Sequence, residues 1–187
     1  MAELVGRGYD AFGVDPRAPA DERFVRASFE EAAAQLRREP WDVVLAARVL
    51  HHVEPLDEGI ALLAELAPLL LVDEFAPDRV VGATQAWYEQ RWREVPGAQG
   101  PKSIDEWRAR HGGLHPHDRV LAALRDSYGE QELEWRPYFH RWLRLPELEA
   151  EERAAIEAGE IAAVGWRWAG RVSRGAAASA PSSPRRL

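Results

Sequence analysis

The sequence predicts an α/β fold, an open and mainly parallel sheet with helices on both faces. Two observations predict it. Strand and helix patterns alternate through the first half of the chain, as right-handed crossover units require. The run from Trp41 to Ala47 is apolar and rich in valine, the composition of a strand covered on both sides.

Taken in order, Ala2 to Val5 reads as a last helical turn, closed by Gly8 in a left-handed conformation. Phe12 to Asp15 and Phe24 to Ala27 are short strand candidates, the first stopped by Pro16. Ser28 with Glu31 is a capping box opening a helix to about Arg38. After the strand at Trp41 to Ala47 comes a helix from Leu56 to Leu66, then an apolar strand from Leu69 to Val72 ending in Asp73 and Glu74. Asp78 is placed to cap a long helix reaching Val95, and a second capping box, Ser103 with Glu106, opens a short helix through Arg110. A helix over His117 to Tyr128 follows. Leu133 to Leu143 reads as one long strand broken by Pro137. A helix from Glu147 to Ala158 and a closing strand from Val164 to Val172 complete the expectation, with the last two strands as an antiparallel pair. The tail from residue 173 has too little apolar content to fold.

Composition narrows the function classes. A chain of 187 residues suits one domain, here residues 1–172, with 77–128 as a helical insertion. A net charge of -7 argues against a general nucleic-acid binder, which carries a basic footprint. No apolar run is long enough for a membrane helix. The absence of cysteine removes thiolate metal sites and disulfides, and fits a reducing cytoplasm. Arginine supplies nearly all positive charge, with Lys102 the one lysine, a bias of GC-rich bacterial genomes.

Three segments carry a resemblance. Gly8-Tyr9-Asp10-Ala11-Phe12-Gly13-Val14-Asp15-Pro16 ends a strand in a carboxylate, Arg26-Ala27-Ser28-Phe29-Glu30 follows the next strand, and Trp41 to Val53 contains Ala46-Ala47-Arg48 and then Leu50-His51-His52. Together they resemble class I S-adenosylmethionine-dependent methyltransferases, Rossmann-like enzymes. The resemblance implies S-adenosylmethionine as cofactor, with Asp15 accepting from the ribose hydroxyls, Ser28 and Phe29 near adenine, and Ala46, Ala47 and Arg48 at the cofactor crevice. It implies methyl transfer to a small-molecule acceptor, with His51 or His52 as a candidate base because imidazole titrates near neutral pH. Asp15 also reads as a turn residue before proline, and Ser28 as a plain helix cap.

Acceptor contacts are expected from Glu74 at a strand end, and from Trp87, Tyr88 and His115 in the insertion, all converging on one mouth. The same aromatics also read as packing. His111, His115 and His117 lack the helical spacing or the carboxylate that would fix a metal, so none is assigned. Gly6-Arg7-Gly8 is not the family's glycine loop, because a strand rather than a helix follows it. Counting back from Asp15 puts that loop, and the central first strand, before Met1. Strands neighbour at about 4.8 Å, so the flanking strands must then pair directly or the N-terminal region must distort. On that reading the chain binds S-adenosylmethionine weakly or not at all, and a non-catalytic remnant serving as a binding module is the alternative. A nicotinamide-dependent oxidoreductase fits Asp15 but not the histidine pair.

Overall fold

A computed structural model describes residues 2–28, 31–32, 36 and 41–173. The chain opens with α1 (Ala2–Gly6), closed by Gly8 at φ 88° as the sequence predicts. Two short parallel strands follow, β1 (Gly13–Val14) and β2 (Phe24–Val25), which pair with each other in a sheet of their own. The capping box forms reciprocally: Glu31 N donates to Ser28 Oγ at 3.3 Å, and Ser28 N donates to Glu31 Oε2 at 3.0 Å. The rest of that expected helix, like the tail after residue 173, lies largely or wholly outside the described residues.

The main sheet has four strands. β3 (Val43–Ala47) runs parallel to β4 (Leu69–Phe75), and α2 (Leu56–Leu66) makes the crossover between them. β5 (Tyr128–Arg136) and β6 (Gly165–Val172) are antiparallel, and β6 inserts between β4 and β5 to give the order β3-β4-β6-β5. Of the two arrangements left open for the Phe12–Asp15 strand, direct pairing with β3 does not form among the described residues, and β1 pairs with β2 alone.

Alternation along β4 decides the layers. Leu70, Val72 and Glu74 point to one face with Ala46, Trp166 and Trp168, and there α2 and α5 (His117–Ser127) cover them with Ile60, Leu63, Val120, Leu121 and Leu124. Burying each such side chain contributes about 1.5–3 kcal/mol. α5 therefore belongs to the sheet's own cover. The other face presents Val43, Leu45 and Leu71 to solvent.

Between β4 and α5, α3 (Gly82–Glu94) and α4 (Ile104–Arg110) contribute to a second core at the end of β4. Ser103 caps α4 as expected, its Oγ accepting from Glu106 N at 3.3 Å. Asp78 does not cap α3. Val81 stands at that position, and Asp78 instead accepts from His117 N at 3.0 Å and pairs with its Nδ1 at 2.5 Å.

The stretch Leu133 to Leu143 is not one strand. Pro137 cannot donate to a ladder, and beyond it Phe139–Leu143 turns into α6. Tertiary structure supplies the reason: Glu152, 1% exposed on α7 (Glu149–Glu157), accepts from Tyr138 N at 2.6 Å, Phe139 N at 2.9 Å and His140 N at 3.1 Å. A carboxylate 13 residues away thus holds the free donors of a first helical turn.

No described helix is long and apolar enough to cross a membrane.

Close approach makes Gly170 indispensable in β6, since a Cβ there would lie 2.1 Å from Cη2 of the buried Trp168 ring. Gly170→Ala is expected to lower stability by about 1–3 kcal/mol, the usual range for overpacking. A denaturant midpoint unchanged by that substitution would contradict the packing described.

Candidate active site at the carboxyl edge

Glu74 organises the carboxyl end of the parallel strand pair. It is 1% exposed, and a carboxylate so far from water must find donors. It finds three. Oε1 accepts from Leu50 N at 2.7 Å, while Oε2 meets His51 Nδ1 at 2.6 Å and accepts from Phe75 N at 3.3 Å. Leu50–His52 is a single 3-10 turn just beyond β3, so Glu74 fastens the end of β4 to the turn after β3. With its oxygens acting as acceptors, the His51 proton belongs on Nδ1, and Nε2 is left as the acceptor nitrogen.

Aromatic packing extends this pair into a row. His52 and His51 lie 4.1 Å apart between centroids, His51 meets Phe75 at 5.0 Å, and Phe75 stacks on Tyr138 at 4.9 Å. Trp107 and Trp142 pack on Phe75 at 5.6 and 5.3 Å. Partial burial, and then the neighbouring His51, hold the His52 imidazole below its ordinary pKa, with Glu74 acting in the opposite sense. Burial also pushes the Tyr138 hydroxyl upward, against the pull of Arg48.

The same edge is polar on the other side of β4. Asp73 Oδ2 accepts from Arg141 at 2.9 Å, and its Oδ1 lies 3.7 Å from Arg167 Nε. Arg48 closes β3 at φ 55°, a left-handed conformation rare outside glycine, and its N–H donates to the Asp73 carbonyl at 2.9 Å.

No family model and no curated protein matches the sequence. Solved structures do match. An S-adenosylmethionine-dependent methyltransferase from Mesorhizobium loti superposes with a TM-score of 0.51 at 14% identity, over 91% of this chain and 84% of that one. The chain has a class I methyltransferase fold. Two further methyltransferases lie lower: one from Archaeoglobus fulgidus, at TM-score 0.49 and 11% identity over 91% of this chain and 79% of its own; and the N-methyltransferase NodS from Bradyrhizobium japonicum WM9 in complex with S-adenosyl-L-homocysteine, at 0.43 and 12% over 81% of this chain. The chain spans 55% of the NodS structure.

Set on this methyltransferase fold, the residues singled out in the sequence divide. His51, His52, Glu74, Ala46, Ala47 and Arg48 gather at the ends of β3 and β4. Asp15 directly follows β1 of the separate small sheet, exposed, where its Oδ1 accepts from Arg17 N at 2.6 Å in a local turn. One carboxylate oxygen remains free of that turn. The Ser28 hydroxyl is engaged as a helix cap, and Phe29 lies outside the described residues.

The expected convergence of Glu74, Trp87, Tyr88 and His115 on one mouth does not occur. Trp87 and Tyr88 are buried in the second core against Phe139, at 5.9 and 5.0 Å, and the Tyr88 hydroxyl donates to the Pro101 carbonyl. The reason is hydrophobic burial, which draws these rings inward with the helix that carries them. His115 instead braces the histidine turn from behind: its N–H donates to the His51 carbonyl at 3.0 Å, and its Nε2 lies 2.9 Å from the Val53 carbonyl.

Sequence reasoning named His51 and Glu74 separately and missed their partnership, as it missed Tyr138 and Arg141. A polar residue at the end of an apolar strand was the available signal for Glu74. Tyr138 and Arg141 gave none, because their segment reads as strand.

Glu74→Ala should cost roughly 3 kcal/mol, since it leaves two backbone donors and the His51 N–H unpaired in the interior; Glu74→Gln, keeping one acceptor oxygen, should cost less. Equal denaturation midpoints for wild type and Glu74→Ala would contradict the role described. His52 should titrate below 6.5, measured by NMR, and its midpoint should rise when His51→Gln removes the neighbouring imidazole. Because the depressed pKa belongs to the folded state, the unfolded chain takes up the proton first. The His52 contribution to stability is therefore complete above 6.5 and declines as pH falls below it.

Proposed function

We propose that the carboxyl edge of the main sheet serves S-adenosylmethionine-dependent methyl transfer to a small-molecule acceptor. One observation carries the proposal: a buried carboxylate–imidazole pair, Glu74 with His51, stands at the strand ends of a class I methyltransferase fold. Such edges are where open α/β sheets bind ligands. The donor set suits the adenosine end of the cofactor. The free oxygen of Asp15 is an acceptor for a ribose hydroxyl, and Ala47, exposed at the end of β3 beyond the buried Ala46, is a small residue that leaves the approach open. When bound, the cofactor would supply an electrophilic methyl group. The chain's own part is to orient the acceptor and, through a His51 imidazole held in one tautomer by Glu74, to receive a proton from it. His52, kept neutral more readily than an ordinary histidine, is the second candidate for that proton.

A second reading has its own support. The Asp15 turn and the Ser28 cap occupy groups that an adenosine site would use, which favours a methyltransferase fold retained as a binding module.

Calorimetric titration with S-adenosylhomocysteine separates the two. Methyl transfer predicts saturable binding that Asp15→Ala weakens about tenfold, a loss of roughly 1.4 kcal/mol, without lowering the melting temperature. Absence of binding at millimolar ligand would decide for the second reading.

A further inference from the structure

β3 lies at the edge of the main sheet and lacks the features that keep such edges from pairing. Among the described residues it pairs with β4 alone, residue for residue. Its sequence, Val43-Val44-Leu45-Ala46-Ala47, contains no charge, no proline and no glycine. Edge strands in natural proteins are protected by charges, prolines, bulges or a covering element. Here Val43 and Leu45 are 42% and 56% exposed, and Leu71 on β4 extends the apolar surface beside them. The small sheet meets this region through Phe12 on Trp41, ahead of β3 itself.

One hydrogen bond fixes which backbone groups face outward. Arg48 N donates to the Asp73 carbonyl, so the amide of residue 48 points toward β4. Along a strand in a parallel ladder the N–H and C=O of successive residues alternate sides. Val44 and Ala46 therefore turn toward β4, while Val43, Leu45 and Ala47 present their backbone groups to the open edge. The same three residues carry the exposed side chains of the strand.

A second copy of this strand matches that edge. Antiparallel pairing about a two-fold axis at Leu45 sets Leu45 opposite the partner's Leu45, and Val43 opposite the partner's Ala47. All three outward residues then fall in hydrogen-bonded pairs. The same register sets the exposed Asp42 opposite the partner's Arg48, at both ends of the pairing. Opposite charges facing across strands contribute roughly 0.2–1 kcal/mol each. A shifted register leaves fewer outward residues opposite one another and separates the charges. This symmetry of charge about Leu45 favours a second copy over an unrelated strand.

We propose that two copies of this chain associate through β3, antiparallel about Leu45, and so join their four-stranded sheets into one. The interface is independent of the reading of the carboxyl edge as a catalytic site.

Sedimentation velocity of the full chain, from low micromolar to submillimolar, should show a reversible monomer–dimer equilibrium. Asp42→Arg and Arg48→Asp should each weaken the dimer about tenfold, since each turns two attractive pairs into repulsive ones. The double variant restores opposite charges and should return to within about threefold of wild type. Melting temperatures of the diluted variants check that each is folded. The chain has no cysteine, so Leu45→Cys gives one thiol per copy. Hydrogen-bonded antiparallel pairs hold their Cα atoms about 5.5 Å apart, within disulfide reach, and mild oxidation should link two copies. Leu71→Cys should not link, because three strand spacings, about 14 Å, separate the two copies of that residue. If a charge variant fails to fold, the two cysteine variants decide alone. A monomer at every concentration, a folded double variant without rescue, or a link through Leu71→Cys but not Leu45→Cys, as face-to-face packing would give, overturns the proposal.

Discussion

The rest of the carboxyl edge depends on one buried carboxylate. Glu74 lies on the covered face of β4, in line with Leu70 and Val72, where the alternation of the strand would otherwise place an apolar side chain. Its oxygens join the turn after β3, the ring of His51 and the backbone of Phe75. A buried acid of this kind is costly unless every donor is in place. The geometry is therefore all or nothing, and the 3-10 turn, the histidine tautomer and the start of the aromatic row are set together.

A second buried acid repeats the device at the other core. Glu152 gathers three backbone N–H groups around Tyr138, Phe139 and His140, and so decides where α6 begins. The two acids are linked through rings: Glu74 fixes Phe75, Glu152 fixes the backbone of Tyr138, and the two side chains stack. The α6–α7 segment is thereby docked against the sheet end by packing and by fixed polar contacts at once. Trp87 and Tyr88 are consumed in this docking, which explains why rings that suit a ligand pocket by composition serve as core.

The polar groups left over define where chemistry can occur. Asp15 and Ser28 satisfy local backbone, and Asp73 is met by two arginines. What remains at the edge is an imidazole held through its Nδ1 by Glu74 and a second imidazole with lowered basicity.

Local pattern determined much of this protein by itself. Both capping boxes, α2 with its bounds, the parallel pair β3 and β4 and the closing strand β6 follow from residue periodicity and from interactions within a few positions, whereas β5 begins at Tyr128, ahead of the run that the pattern marks. The strand-end location of Ala46, Ala47, Arg48 and Glu74 was legible for the same reason, since a strand's end follows from its apolar run. Tertiary structure alone decided the rest. Whether Glu74 would face a substrate or a histidine turned on a contact across 23 residues, and α6 arose where strand was expected because a distant carboxylate took up its first N–H groups. Asp78 left its expected helix for His117, 39 residues on. Such contacts join groups that periodicity treats as independent, and their energies exist only once the chain has brought them together.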